Sequence, residues 1–268
     1  MANKQNREEK RQYILNRIQK MCYFDDEFMT KCLEDYPLGI ELILRIITND
    51  NTLVVKEAQV QSVIKNLQGR SIRMDIKATD LKKNQYDIEM QKADSGAKPK
   101  RARYNSSLMD ANAIFSGDDT ELLPETYVIF LTENDVLQGN LPIYHIERMI
   151  KENGKLFDDK AHIIYVNGEI KDDTPLGKLM QDLSCANPDE MNYKELADRA
   201  RYFKKDKKGR KIMSKIVEEI AKELVNYEKI EAAERMLEKG KLTTEEISEY
   251  LELPLHIVET LANDLQPV

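Results

Sequence analysis

The chain has 268 residues, of which 33% are charged and 41% hydrophobic, with a formal net charge of −7. That size and balance suit a soluble protein with one large domain, or one domain plus an appendage. No apolar run approaches the roughly 20 residues that a bilayer-spanning helix needs, and the polar N-terminus lacks the apolar core of a signal peptide. Cys22, Cys32 and Cys185 are too few and too scattered for a disulfide framework or a CxxC zinc site, so free thiols in a reducing cytoplasm are expected.

Residues 1–20 read as a basic, partly amphipathic helix with Tyr13, Ile14, Leu15 and Ile18 as its apolar contributors. A second helix is expected from Asp25 and Asp26, good N-cap residues, through Phe28, Met29, Cys32 and Leu33, with Tyr36-Pro37 interrupting it. Residues 41–47 read as a buried helix and 53–66 as a strand. Residues 71–78 alternate: Ile72, Met74, Ile76 and Ala78 on one face, Arg73, Asp75 and Lys77 on the other. Residues 86–91 alternate in the same way, with Tyr86, Ile88 and Met90 apolar. Period two marks half-buried strands, and the polar link between them is short enough for a hairpin, although 80–84 lacks the expected glycine.

Pairing these strands puts Asp75, Glu89 and Gln91 on one solvent-side face, close enough to hold one cation. Two carboxylates with an amide beside the second make a candidate magnesium site for cutting phosphodiesters. The wet face of any amphipathic hairpin also carries acids, so spacing alone leaves both readings open.

Residues 98–116 read as a helix, and 127–131 as a central strand covered on both faces. Further strands are expected at 142–146 and 162–167. His145 and His162 sit on these strands without matching acids and are read as structural. The order helix, three strands, helix, strand predicts an α/β sandwich core. Beyond about residue 175 the pattern is helical. Met213, Val217, Ile220, Leu224 and Tyr227 recur at bundle or coiled-coil spacing, for core packing or a homodimer seam. Residues 236–266 resemble a small helix-turn-helix, but the second helix carries no Lys or Arg to read a groove. It reads as a packing or interaction module.

Basic residues cluster three times: Lys4 to Lys20, Lys98 to Arg103, and Lys204 to Lys211. Such patches can dock phosphates on an acidic protein, although each alone also fits a solvated face.

The segments 69–76, 88–91 and 100–108 together resemble the PD-(D/E)xK nuclease family transposases, relatives of the recombination-promoting nucleases of bacteria. The blocks 123–130, 141–144 and 175–180 fit the same family, so the likeness spans about 24–211. It implies an α/β fold with a restriction-endonuclease-like core, an α-β-β-β-α-β mixed sheet flanked by helices. A basic helix at 1–20, a nuclease-like domain at 21–195 and a helical C-terminal region at 196–268 would make up the chain. Asp75 would be the motif aspartate and Glu89 the strand-three acid, with Gln91 where the wider superfamily has lysine. The carbonyl of Met90 would be a further metal ligand, and Glu41 best fits the glutamate that the first core helix often adds. Magnesium, with manganese as substitute, would be the cofactor, and Lys100, Arg101 and Arg103 would hold DNA phosphates. The expected activity is a metal-dependent DNA endonuclease of a mobile element, in the bacterial cytoplasm. The missing lysine and acidic charge motivate the alternative: a weak or inactive nuclease-fold protein that binds DNA or a protein partner.

Overall fold

The computed structural model describes residues 2–66 and 69–264, without the side chains of 2–8, Leu224 and Asp264. Two compact units divide the chain: Asn16–Arg210, and Met1–Leu15 with Lys211–Val268. After α1 (Ala2–Lys20), helices α2 (Asp26–Leu33) and α3 (Pro37–Thr48) precede three strands, β1 (Val55–Ile64), β2 (Ile72–Asp80) and β3 (Gln85–Gln91). Helix α4 (Pro99–Ala111) leads to β4 (Thr126–Thr132) and β5 (Ile143–Ile146). A small hairpin of β6 (Met149–Ile150) and β7 (Lys155–Leu156) precedes β8 (Ala161–Asn167), and α5 (Pro175–Ser184) and α6 (Lys194–Lys205) follow.

The six-stranded sheet has the order β1-β2-β3-β4-β8-β5. Strands β1, β2 and β3 pair antiparallel, β3, β4 and β8 parallel, and β5 runs antiparallel to β8. The expected helix–three strands–helix–strand order is therefore present, and both further strands join the sheet. The β6–β7 hairpin was not anticipated, because two-residue strands are too short to show a period. On the α4 side, Ala102, Leu108 and Met109 belong to one core with Val128, Phe130 and Tyr165. Burying each of the larger apolar side chains contributes about 1.5–3 kcal/mol, which explains the apolar run 127–131 between the two end threonines of β4.

Two local expectations change. Helix α4 stops at Ala111 instead of running to Ser116: Asn112 folds its amide back onto the Leu108 carbonyl at 2.8 Å, and Phe115 is exposed, with nothing to bury by continuing the helix. The glycine-free turn after β2 closes with Lys83 at φ 71. Asp80 holds that left-handed residue in place, its carboxylate accepting from the Asn84 N–H at 2.8 Å and from the Tyr86 hydroxyl at 3.0 Å.

In the smaller unit, α7 (Lys207–Lys239) is followed by α8 (Thr244–Leu251) and α9 (Leu255–Asp264). Thr243 and Glu246 form a reciprocal capping box at the start of α8. Ala233, Ile247, Leu253 and Val258 close a core of their own, so the helix-turn-helix-like end packs as a module. The last residues of the stretch 236–266, Leu265 and Gln266, lie outside the described residues. Of the α7 stripe, Met213 and Val217 are buried and Tyr227 is exposed; the Leu224 side chain is not described.

Candidate active site

β2 and β3 pair as far as Ile76↔Ile88 and then part. Asp75 and Glu89 stand one step into the fork. The Asp75 carboxylate accepts the Met90 N–H at 2.9 Å, taking the place of a main-chain ladder partner. The Gln91 carbonyl accepts from Glu133 N–H at 3.0 Å, on the β4 side. Main-chain groups alternate sides along a strand, so the carbonyl of Met90 faces the fork with its N–H.

Glu89 is 0% exposed. The expectation of a solvent-side face is therefore overturned for this residue, because α4 lies over it. Alternation was read correctly, but it cannot reveal which helix covers a strand. Three donors reach the Glu89 carboxylate: the Gln91 amide at 3.1 Å, the Asn105 amide at 3.2 Å, and the Arg101 guanidinium in an ion pair. Asn105 also donates to Asp87 at 2.8 Å. Arg101 in turn donates to the Gly96 carbonyl at 2.9 Å and lies 5.9 Å from the Phe130 ring centre. Gly96 makes room for this cluster, since a Cβ there would stand 1.9 Å from the Gln91 Oε1 atom.

Acids outnumber cations in the fork. Burial raises the Glu89 carboxyl far above the usual carboxylate range, the neighbouring Asp87 and Asp75 push it further, and Arg101 only partly opposes them. Burial likewise raises Asp87 and Asp75. One Asp87 carboxylate oxygen, Oδ1, is buried with no hydrogen-bond partner among the described residues. Such a set of hard oxygens short of positive charge fits magnesium or manganese. Among the described residues no three acidic, imidazole or thiol side chains form a ligand cage. A cation here would draw on Asp75, Glu89, the Met90 carbonyl and water, in keeping with magnesium's habit of using one or two carboxylates.

Asp75, Met90 and Gln91 line a cleft of about 1260 Å³. Its walls also carry Arg70, Arg73, Lys98, Lys100, Arg101 and Arg103. Six cations along one cleft of a chain with net charge −7 set up a local field that attracts polyanions. Lys100 and Arg103 are exposed on this wall, whereas Arg101 is half-buried and turned onto Glu89.

Glu41 does not join the fork. Its carboxylate accepts from the Val55 N–H at 2.9 Å and pairs with Arg45 at 2.7 Å. Val55 pairs with Asp80, five residues along β2 from Asp75, or about 16 Å at strand spacing. Glu41 therefore ties α3 to the start of β1. The helix acid near Asp75 is instead Asp26, which adds to the upward push on Asp75, pairs with Arg73 at 3.3 Å and accepts from Gln61. Asp25 takes the N-cap position, its carbonyl accepting the Met29 N–H at 2.8 Å, but its side chain makes no cap bond; the carboxylate accepts from Cys22 N–H at 2.8 Å and Lys92 Nζ at 2.7 Å. His162 stands between Glu125 and Glu147, 2.8 Å from each, and stacks on Tyr127.

Sequence reasoning passed over Asp87, Asn105 and Gly96. Period two places Asp87 on the Glu89 face, and Asn105 lies four residues after Arg101, hence on the same helix face. Both were legible once α4 was known to cover β3.

The model of the PD-(D/E)XK nuclease family transposases matches residues 40–252. No curated protein and no solved structure matched the chain. With most of its length covered, the chain belongs to the PD-(D/E)XK nuclease family transposases.

Proposed function

We propose that this member of the PD-(D/E)XK nuclease family transposases is a magnesium-dependent DNA endonuclease, acting for a mobile element in recombination. The single observation that carries the reading is the strand fork of Asp75 and Glu89, with Asp75 lining a cationic cleft and Glu89 buried behind it. The domain at 21–195 would do the chemistry. The helical region at 196–268 would serve interaction, with the α7 stripe as a homodimer seam. A bacterial cytoplasm suits the reduced cysteines, and no described helix is long and apolar enough to cross a membrane.

Asp75, Glu89 and the Met90 carbonyl would hold the cation, with manganese as a substitute. Bound there, it would acidify water and relieve charge on the phosphoryl oxygens. Gln91 can neither take a proton nor carry charge, so its amide orients a water or a phosphate oxygen. Arg101 brings the positive charge that Gln91 lacks. Asn105 fixes the direction of Glu89 and Asp87. Lys100 and Arg103 grip backbone phosphates, which makes binding fall steeply with salt.

Purified protein with magnesium is expected to convert supercoiled plasmid to open-circular or linear form. Asp75→Ala and Glu89→Ala should each lower the rate at least about a hundredfold, as removal of charge stabilisation at a reacting centre does. Equal cutting by wild type and both variants would end this reading. The Arg101 clasp on Glu89 supports a second reading, a nuclease-fold DNA binder in which the arginine stands in for the cation. That reading predicts no metal binding by the folded protein.

A further inference from the structure

Strand β1 loses its regularity at Gln61, which has φ 53, a left-handed backbone that residues other than glycine, asparagine and aspartate rarely adopt. The ladder to β2 pairs Val60 with Ile76 and Ser62 with Met74, and skips Gln61 between them. In that register the residue opposite Gln61 is Asp75. The pairing is therefore interrupted on both sides of Asp75, at Gln61 on β1 and at the fork on β3. Register is the same before and after the gap, so Gln61 is not an inserted bulge residue.

The side chain carries a second local cost. Its amide nitrogen donates to the Asp26 carboxylate at 2.5 Å and to the Thr30 hydroxyl at 3.2 Å. Its amide oxygen is buried with no hydrogen-bond partner among the described residues. A left-handed backbone and a buried unpaired oxygen both oppose folding. Glycine at this position would relieve both, so stability does not account for a glutamine. Strain of this kind collects at functional sites, where it is part of the geometry. The two partners show what the amide holds. Asp26 and Thr30 are four residues apart on α2, hence on one helix face. Asp26 lines the cationic cleft together with Asp75, and its charge adds to the upward push on Asp75. The other Asp26 oxygen pairs with the exposed Arg73 at 3.3 Å, and Gln61 supplies a second tie, anchored in the sheet.

We infer that Gln61 is a positioning residue of the fork: its left-handed backbone directs the amide to α2 and keeps the Asp26 carboxylate in the cleft with Asp75. Carboxylates held together in this way attract a divalent cation more strongly than one does alone. Gln61 is not among the residues that line the cleft, so it acts through Asp26. The inference rests on the cation-site reading of the fork and adds to it the residue that keeps a further carboxylate in place.

The test is calorimetric titration of manganese into the full chain, with thermal melting of each variant alongside. Gln61→Gly and Gln61→Asn both accept the left-handed backbone, and neither side chain reaches Asp26. Each should bind manganese about tenfold more weakly, the lower end of what losing a supporting hydrogen bond costs a metal site. Neither should melt far below wild type, since the strain is relieved or kept and not increased. Asp26→Asn should lose at least as much affinity. Combining Gln61→Gly with Asp26→Asn should weaken binding no further than Asp26→Asn alone, because the two residues act as one unit. Wild-type affinity in both Gln61 variants, or losses that add in the double variant, would overturn the inference. With binding still abolished in Asp75→Ala, either result would leave the cation site standing. Lower melting temperatures at unchanged affinity would reduce Gln61 to a structural tie and overturn the inference as well. A wild type that binds no manganese would remove the cation site, and the role of Gln61 with it.

Discussion

Lys204 and Glu89 are both 0% exposed ionisable side chains of the larger unit, and their surroundings differ in kind. The Lys204 ammonium donates to the carbonyls of Gln19, Met21 and Ala186 and sits 4.9 Å from the Phe28 ring centre. Three carbonyls, enough for its three N–H bonds, and a π-face surround it. Glu89 shares its fork with Asp87 and Asp75 and, among the described residues, pairs with Arg101 alone, while an Asp87 oxygen has no partner among them. A satisfied buried charge holds a fold together. An under-compensated cluster that reaches a cleft through Asp75 is placed for a ligand that supplies the missing charge.

The largest effect expected from breaking this contrast is on stability. Lys204→Ala leaves three carbonyls and a void, and should cost about 3 kcal/mol. Thermal melting would show this as a fall of roughly 6–12 °C for a unit of this size. A change under 2 °C, on the order of half a kcal/mol, would show that Lys204 is not structural. Asp87→Asn should act in the opposite direction. It removes one of three crowded carboxylates and keeps the bond to Asn105, so the metal-free protein should melt a few degrees higher, a gain of about 1–2 kcal/mol. A drop in melting temperature would mean that Arg101 already balances the fork.

Gly96→Ala leaves the charges alone and shifts geometry. The new methyl must push the Gln91 amide aside, so plasmid cutting should slow about tenfold while the melting temperature stays within a few degrees. Unchanged cutting would remove Gln91 from the mechanism. The smallest effect is on the pH dependence of stability. Burial pulls the Lys204 ammonium down to about 8 from 10.5. Between those two values the unfolded chain holds a proton that the folded one has released, so stability rises with pH across that window. From pH 7 to pH 9 the gain should be about 1 kcal/mol, and Lys204→Met should remove it.

The same comparison shows what a sequence makes legible. The fork residues lie on two strands joined by a short turn, so local alternation placed Asp75, Glu89 and Gln91 together. The sheet's central strands followed from equally local signals, alternation in β2 and β3 and a continuous apolar run in β4. The acids on α2 and α3 could not be told apart, because what separates Asp26 from Glu41 is where each helix meets β1. Glu41 reaches the Val55 end and Asp26 the Gln61 end. Burial of Glu89 depends on α4 docking across the sheet, a long-range contact without a local signature. The Lys204 cage is assembled from Gln19, Met21 and Ala186, 185, 183 and 18 residues away in sequence, and basic periodicity gave no hint of it.

Calorimetric titration of manganese into the folded protein tests the central claim, that the fork is a cation site, most directly. The account predicts saturable binding to wild type, lost in Asp75→Ala and Glu89→Ala, while both variants keep the wild-type circular dichroism. A folded wild type that binds no manganese, or variants that bind it as well as wild type, would contradict the account.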